Sequence, residues 1–227
     1  MVKKKMGHFV DLTASDGHTF NAYKAEPSRT LRGGIVVIQE IFGVNKHIQE
    51  ITDGFSAEGY LAIEPALFDR TERGVELGYE PDNREKGMAT RAGVEWNDAI
   101  KDTISAREAI ANAGKVGIVG YCYGGTICWL GACKGGFDAV SGYYGGGIHQ
   151  NLELKAECPV ELHCGDEDQG IPQQNVDLIR AAKPNVELYV YEGDRHGFMC
   201  DQRHSFHPEA AKVAKARALN FFTKHIG

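Results

Sequence analysis

The chain has 227 residues, of which 42% are hydrophobic and 25% are charged. This composition supports a buried core and excludes a disordered chain, and the length suits a single α/β domain over residues 1–227. With 25 Lys and Arg against 31 Asp and Glu, the formal net charge is −6, which argues against nucleic acid or an anionic membrane surface as a partner.

The first predicted strands are two short β-like runs at 9–12 and 19–25, separated by the turn residues Ser15, Asp16 and Gly17. This pattern predicts an antiparallel hairpin. The continuous run Ile-Val-Val-Ile at 35–38 is typical of a strand buried on both faces of a parallel sheet. Further strands are predicted at 60–63, 116–119, 137–140, 160–163 and 186–191.

Helical patterns lie between most of these strands. Apolar residues recur at helical spacing between 91 and 112, at Trp96, Ile100, Ile104 and Ala111, and they predict one amphipathic helix. A last helix is predicted from Pro208, with a core-facing stripe made of Ala211, Ala214, Ala218, Phe221 and Phe222. Together the elements predict a three-layer α/β domain with a mostly parallel central sheet.

The irregular stretch at 69–84 is predicted to be a lid or a substrate wall. No segment has the apolar length of a signal core or a membrane span, and six cysteines in a chain of this size fit a reducing cytoplasm. No cysteine spacing matches a common zinc pattern, and His163-Cys164 is interpreted as a strand end. No metal is therefore expected.

The strand at 116–119 continues directly into Gly-Tyr-Cys-Tyr-Gly-Gly at 120–125, and a helical pattern follows. A nucleophile at a sharp strand-to-helix turn needs small residues two positions before and two positions after it. Cys122 stands at that apex, where the N-terminus of the following helix favours a thiolate. Two alternatives remain: a purely structural turn with a buried cysteine, and Ser141 as a competing nucleophile at another strand end.

A nucleophile of this type is followed along the chain by an acid after a later strand and a histidine after the last strand. Asp168 follows the predicted strand at 160–163, and His196 follows the strand at 186–191. His196 is predicted to be the general base and Asp168 the group that orients it. Asp166 and Asp194 are alternatives for the acid, although Asp194 is interpreted as a surface charge.

The cysteine elbow, together with Gln-Glu-Ile-Phe-Gly at 39–43, resembles the dienelactone hydrolase family, and the likeness continues through 165–168 and 196–198 to the last helix. It implies an α/β-hydrolase fold and a catalytic triad made of Cys122, Asp168 and His196. It also implies that Glu40 accepts the thiol proton when substrate displaces it, and that Ile41 and Tyr123 donate backbone N–H groups to an oxyanion. From the sequence alone, the alternative is that Glu40 is an exposed charge at a strand end.

The family resemblance also implies two arginines that hold a substrate carboxylate. Arg84 matches the first loosely, and Cys200 stands where the second is expected, with Arg203 three residues later. The tyrosine expected near the first arginine is replaced by Met88. Arg84 and Arg203 are predicted to bind an anionic group, and the alternative is that both are ordinary surface arginines.

The expected function is hydrolysis of esters or lactones of small organic acids through a thioester on the cysteine, with no metal or organic cofactor. Activated esters and enol-lactones are favoured over amides, because a thiolate leaves more readily than an amine. The expected partner is a small molecule, and no oligomeric state is predicted. The alternative is a redox-sensing or ligand-binding protein on the same scaffold without turnover.

Overall fold

The computed structural model describes residues 7–227, and its centre is one eight-stranded sheet with the strand order β1-β2-β4-β3-β5-β6-β7-β8. The pairs β1–β2 and β2–β4 are antiparallel, and the other five are parallel. The strands are β1 (His8–Thr13), β2 (Thr19–Ala25), β3 (Gly33–Ile38), β4 (Tyr60–Pro65), β5 (Val116–Tyr121), β6 (Ala139–Tyr143), β7 (Val160–Gly165) and β8 (Glu187–Tyr191). The predicted mostly parallel sheet with an antiparallel N-terminal hairpin is confirmed.

Helices cover both faces of this sheet, as the apolar run of β3 predicts. Val36 and Ile38 pack into one hydrophobic cluster, and Ile35 and Val37 pack into a second cluster on the opposite face, because successive strand side chains alternate in direction. The helices are α1 (Lys46–Ala57), α2 (Pro81–Ala92), α3 (Trp96–Ala109), α4 (Tyr123–Lys134), α5 (Gln173–Ala182) and α6 (Pro208–Ile226).

The two faces have different helices. The apolar side chains of α3 and α4 belong to the first cluster, and those of α1 and α6 belong to the second. The predicted core stripe of α6 is buried at all five positions. Among residues 7–227, no helix is long and apolar enough to cross a membrane.

Three predicted element boundaries are wrong. The helix predicted over 91–112 begins too early. Its first two residues belong to the end of α2, Gly93 is the C-cap of that helix, and α3 begins only at Trp96. Trp96 is 37% exposed, and so it is not a core residue. The segment at 69–84 is not irregular throughout, since α2 begins at Pro81, where proline is suited to the first helical turn.

The sixth strand also starts two residues later than expected, at Ala139. Phe137 is nevertheless buried, and it packs under α4 against Gly131 and Gly135. Its apolar character therefore reflects helix packing rather than strand pairing, which the sequence pattern does not distinguish.

Candidate active site

The elbow at Cys122 has the strained geometry that the sequence predicts. Cys122 has φ = 57° and ψ = −113°, and it directly precedes α4. A Cβ on Gly120 would lie 2.3 Å from the carbonyl oxygen of Gly124, and one on Gly124 would lie 2.5 Å from the carbonyl oxygen of Ile38. Only glycine fits both positions, because a side chain at either would collide with backbone atoms that cannot move independently.

His196 and Asp168 lie beside Cys122 at the carboxyl end of the sheet. The His196 imidazole is in hydrogen-bond contact with the Cys122 thiol, and its Nδ1 lies 2.8 Å from Oδ2 of Asp168. The other carboxylate oxygen of Asp168 accepts a hydrogen bond from the Gly170 N–H at 2.8 Å. Asp168 is buried and fixed at both oxygens, so it can hold the imidazole in one orientation.

The environment of His196 favours its protonated form. Burial acts to lower the pKa of this imidazole, but the negative charge of Cys122 and the hydrogen bond to Asp168 outweigh burial and raise the pKa to about 10. The imidazolium form of His196 is therefore favoured near neutral pH.

The two alternative acids have other partners. Asp166 accepts a hydrogen bond from the Gly193 N–H at 2.7 Å at an exposed position. The interpretation of Asp194 as a surface charge is wrong: it is 2% exposed, and its carboxylate pairs with Nδ1 of His207 at the start of α6. Its backbone carbonyl also accepts a hydrogen bond from the Glu167 N–H at 3.0 Å, so Asp194 anchors the loop that carries His196.

Ser141 is an unsuitable nucleophile in this structure. It is completely buried, and its hydroxyl donates a 2.7 Å hydrogen bond to Oε1 of Glu161. Nε2 of the buried His163 lies 3.2 Å from that same oxygen, and Nδ1 of His163 lies 2.8 Å from the Tyr191 hydroxyl. Glu161 and His163 are buried as well, so this polar group lies inside the core, where substrate has no access.

The two expected oxyanion donors lie on opposite sides of the elbow. Tyr123 is the first residue of α4, and Ile41 lies in the turn after β3. Neither backbone N–H donates to a protein acceptor within residues 7–227. The Gly124 N–H binds the Gln39 carbonyl at 3.1 Å, which ties the two segments together.

Glu40 is buried and paired, so the alternative of an exposed strand-end charge is wrong. Its Oε1 accepts from Nη1 of Arg203 at 3.0 Å, and its Oε2 accepts from the Tyr79 hydroxyl at 3.1 Å. The family resemblance implies a glutamate that takes the proton of the cysteine. In the described residues the Glu40 carboxylate binds Arg203 and Tyr79, and the proton-accepting role of Glu40 stays a prediction.

The two arginines expected to bind an anion have different surroundings. Arg203 is four-fifths buried at its side chain and is bound to Glu40. Arg84 is exposed on α2 and lies one helical turn before Gly87. Gly87 packs closely against the turn that contains Ile41, since a Cβ on Gly87 would be 2.1 Å from the Ile41 carbonyl oxygen. The pairing of Arg203 with Glu40 was not evident from the sequence.

Sequence reasoning missed two further residues near the triad. The guanidinium of Arg91 lies 4.1 Å from the ring centroid of Trp96 and 5.2 Å from that of Tyr123. Tyr144 has φ = 39°, is fully buried with an unpartnered hydroxyl, and its ring lies 5.0 Å from that of His196. Tyr144 directly follows β6, and its place at a strand end was the available signal. Arg91 offered none, because its role depends on how α2 packs.

Comparison with known proteins decides the family. The sequence model of the Dienelactone hydrolase family matches residues 20–226 of this chain. The chain belongs to the dienelactone hydrolase family. A carboxymethylenebutenolidase of Pseudomonas putida is 32% identical over 222 residues, which are 93% of this chain and 94% of that protein. A Synechocystis protein provisionally named carboxymethylenebutenolidase is 35% identical over 85% of this chain and 86% of its own length.

A solved structure agrees with this assignment. A protein of Klebsiella pneumoniae, provisionally named a dienelactone hydrolase, is 28% identical, with a TM-score of 0.82 over 97% of this chain and 100% of that one. The predicted family, the α/β-hydrolase fold and the enzyme class are thereby confirmed. This member of the dienelactone hydrolase family is a hydrolase of ester or lactone bonds in small molecules.

Proposed function

We propose that this dienelactone hydrolase family member cleaves esters or lactones of small organic acids through a thioester on Cys122. The observation that carries the proposal is the chain of contacts from the strained cysteine to His196 and on to Asp168 at 2.8 Å. A cysteine held in this way is a nucleophile with an adjacent, oriented base. The oxygen-anion intermediate would be held by the N–H groups of Ile41 and Tyr123.

The proposed reaction has two half-reactions. The Cys122 thiolate attacks the carbonyl carbon, and the His196 imidazolium then gives its proton to the leaving oxygen as the carbon–oxygen bond breaks and a thioester forms. In the second half, neutral His196 takes a proton from water, and the resulting hydroxide attacks the thioester. The carbon–sulfur bond breaks, the acid product leaves, and the thiolate–imidazolium pair is restored.

The leaving group sets the substrate class in this proposal. When the tetrahedral intermediate collapses, a thiolate leaves in preference to an amine, so an amide would return to substrate. Enol-lactones, activated esters and thioesters have leaving groups that compete with the thiolate. We therefore expect turnover of these compounds and none of peptides.

We further propose that the substrate carries a negative charge. Arg84 and Arg91 have no carboxylate partner within the described part of the chain. Arg91 lies against the Tyr123 ring, and Arg84 is one turn before Gly87, the residue of α2 that approaches the Ile41 carbonyl. Arg203 could contribute only by sharing its guanidinium with Glu40, to which it already binds. Arg84 and Arg91 are thus the better anion ligands, since no protein charge neutralises them.

Two broader predictions stay proposals. We propose that residues 1–227 form a single domain, and that the protein works in the cytoplasm. All six cysteines are free, which is the state expected in a reducing compartment.

The decisive experiment is modification of one thiol with parallel measurement of turnover. Cys122 and Cys158 are the two partly exposed cysteines, so Cys158→Ser leaves Cys122 as the accessible thiol. We expect iodoacetamide to abolish aryl-ester hydrolysis by this variant in proportion to Cys122 modification, and mass spectrometry to detect an acyl adduct on Cys122 before alkylation. Full modification with turnover intact would assign the chemistry to another nucleophile. No turnover before or after would favour the redox-sensing or ligand-binding alternative.

The anion proposal is tested separately by comparing charged and neutral substrates. Arg84→Ala and Arg91→Ala should each raise KM for carboxylate-bearing esters more than for neutral esters. Arg180→Ala is the matched control, because Arg180 is exposed on α5. Equal effects on both substrate types would remove that arginine from the anion site.

A further inference from the structure

Three metal-binding side chains meet outside the triad, on residues far apart in the sequence. His47 lies in the first turn of α1, and Cys200 and Asp201 lie in the loop between His196 and α6. One nitrogen, one sulfur and one oxygen from these residues all lie within 4.8 Å of one another. Sequence spacing gave no sign of this cluster, because it forms only when the loop packs against α1.

The separation of His47 and Asp201 suits a tetrahedral ion. Zinc binds nitrogen and oxygen at about 2.0–2.2 Å and sulfur at about 2.3 Å, so neighbouring ligand atoms around it are separated by about 3.3–3.7 Å. Nδ1 of His47 lies 3.5 Å from Oδ1 of Asp201, which is longer than a hydrogen bond and within the tetrahedral range. An ordinary histidine–aspartate hydrogen bond would place these two atoms closer together.

His47 has an unmet polar requirement. The residue is 5% exposed, and its Nε2 is buried without any hydrogen-bond partner in the described chain. Nδ1 is the nitrogen that lies 3.5 Å from Asp201, so an ion bound there would leave Nε2 unchanged. The case for the cluster therefore depends on the ligand types and their proximity, not on the unpartnered Nε2.

The cluster is also accessible. His47 and Asp201 line a cavity of about 410 Å³ between α1 and α6, and the Asp201 side chain is 60% exposed. An ion could enter from this cavity and keep a water molecule as its fourth ligand, as in zinc sites with three protein ligands. The Cys200 thiol also contacts the Tyr79 hydroxyl, and that hydroxyl binds Glu40.

We propose that His47, Cys200 and Asp201 bind one thiophilic divalent cation of the zinc class, with a water molecule from the cavity in the fourth position. On binding, the Cys200 thiol releases its proton to solvent as the metal–sulfur bond forms. The two negative ligands, thiolate and carboxylate, balance the charge of the ion. This inference does not depend on the proposed hydrolysis, since none of the three residues belongs to the triad.

Cd²⁺ is a suitable probe, because cadmium–thiolate bonds absorb in the ultraviolet. The double variant Cys122→Ser and Cys158→Ser removes the two partly exposed thiols and leaves the cluster intact. We expect this variant to bind one equivalent of Cd²⁺ with a charge-transfer band. Adding Cys200→Ser should abolish that band, and a band that persists without Cys200 would overturn the proposal.

Asp201→Asn tests the site without disturbing a buried residue. Removing one ligand should weaken Cd²⁺ binding at least about tenfold, while far-ultraviolet circular dichroism stays unchanged. Asp177→Asn is the matched control, because the Asp177 side chain is 59% exposed on α5 and is outside the cluster. Equal Cd²⁺ affinities of the Asp201 and Asp177 variants would overturn the assignment.

Discussion

Replacing Cys122 with serine should lower the pKa of His196, because a neutral hydroxyl cannot stabilise the imidazolium as a thiolate does. In the wild-type protein, that pKa is raised from 6.5 to about 10 against the opposing effect of burial. This difference corresponds to about 5 kcal/mol of preference for the charged ring. Cys122 contributes more to it than Asp168 does, so we expect the pKa in the variant to fall by more than about one pH unit.

The assay is NMR titration of the His196 ring in the wild-type protein and in Cys122→Ser. Cys128→Ser is the control, because Cys128 is a buried thiol within α4 and should leave the titration unchanged. The raised pKa of His196 also predicts how turnover depends on pH. The imidazolium that would protonate the leaving group is present below about pH 10 and is lost as the pH rises through that value. A His196 that titrates near 6.5 in the wild type, or identically in the wild type and the serine variant, would refute the ion-pair reasoning.

Two other substitutions test the supports of the site. Asp168→Asn should reduce kcat/KM by about 10³–10⁴-fold, because an amide does not fix the imidazole in the productive tautomer; a loss below tenfold in steady-state assays would move the orienting role to another acid. Gly87→Ala should lower both kcat and the urea midpoint, because its Cβ would collide with the Ile41 carbonyl, in the turn that carries the proposed oxyanion donor. Gly54→Ala, in open space within α1, should be neutral or stabilising by up to about 1 kcal/mol, and equal behaviour of the two variants would contradict this explanation.

Asp168 and Asp194 show where sequence reasoning stopped. Both aspartates follow predicted strands in carboxylate-rich turns, so their order in the chain could not separate their roles with certainty. Packing separates them: Asp168 faces the imidazole of His196, while Asp194 turns inward and pairs with His207. The direction of a side chain within a turn depends on backbone dihedral angles that residue types alone do not specify.

Local patterns in the sequence determined the sheet, its hairpin, the final helix and the elbow at Cys122, because apolar periodicity and glycine placement act over a few residues. Contacts between distant segments were decided by the tertiary structure alone. The Glu40–Arg203 pair joins the segment after β3 to the loop before α6, and Arg91 reaches the Tyr123 ring through the packing of α2. Such contacts depend on how complete helices and strands pack against one another, and the local patterns of a single sequence do not specify that packing.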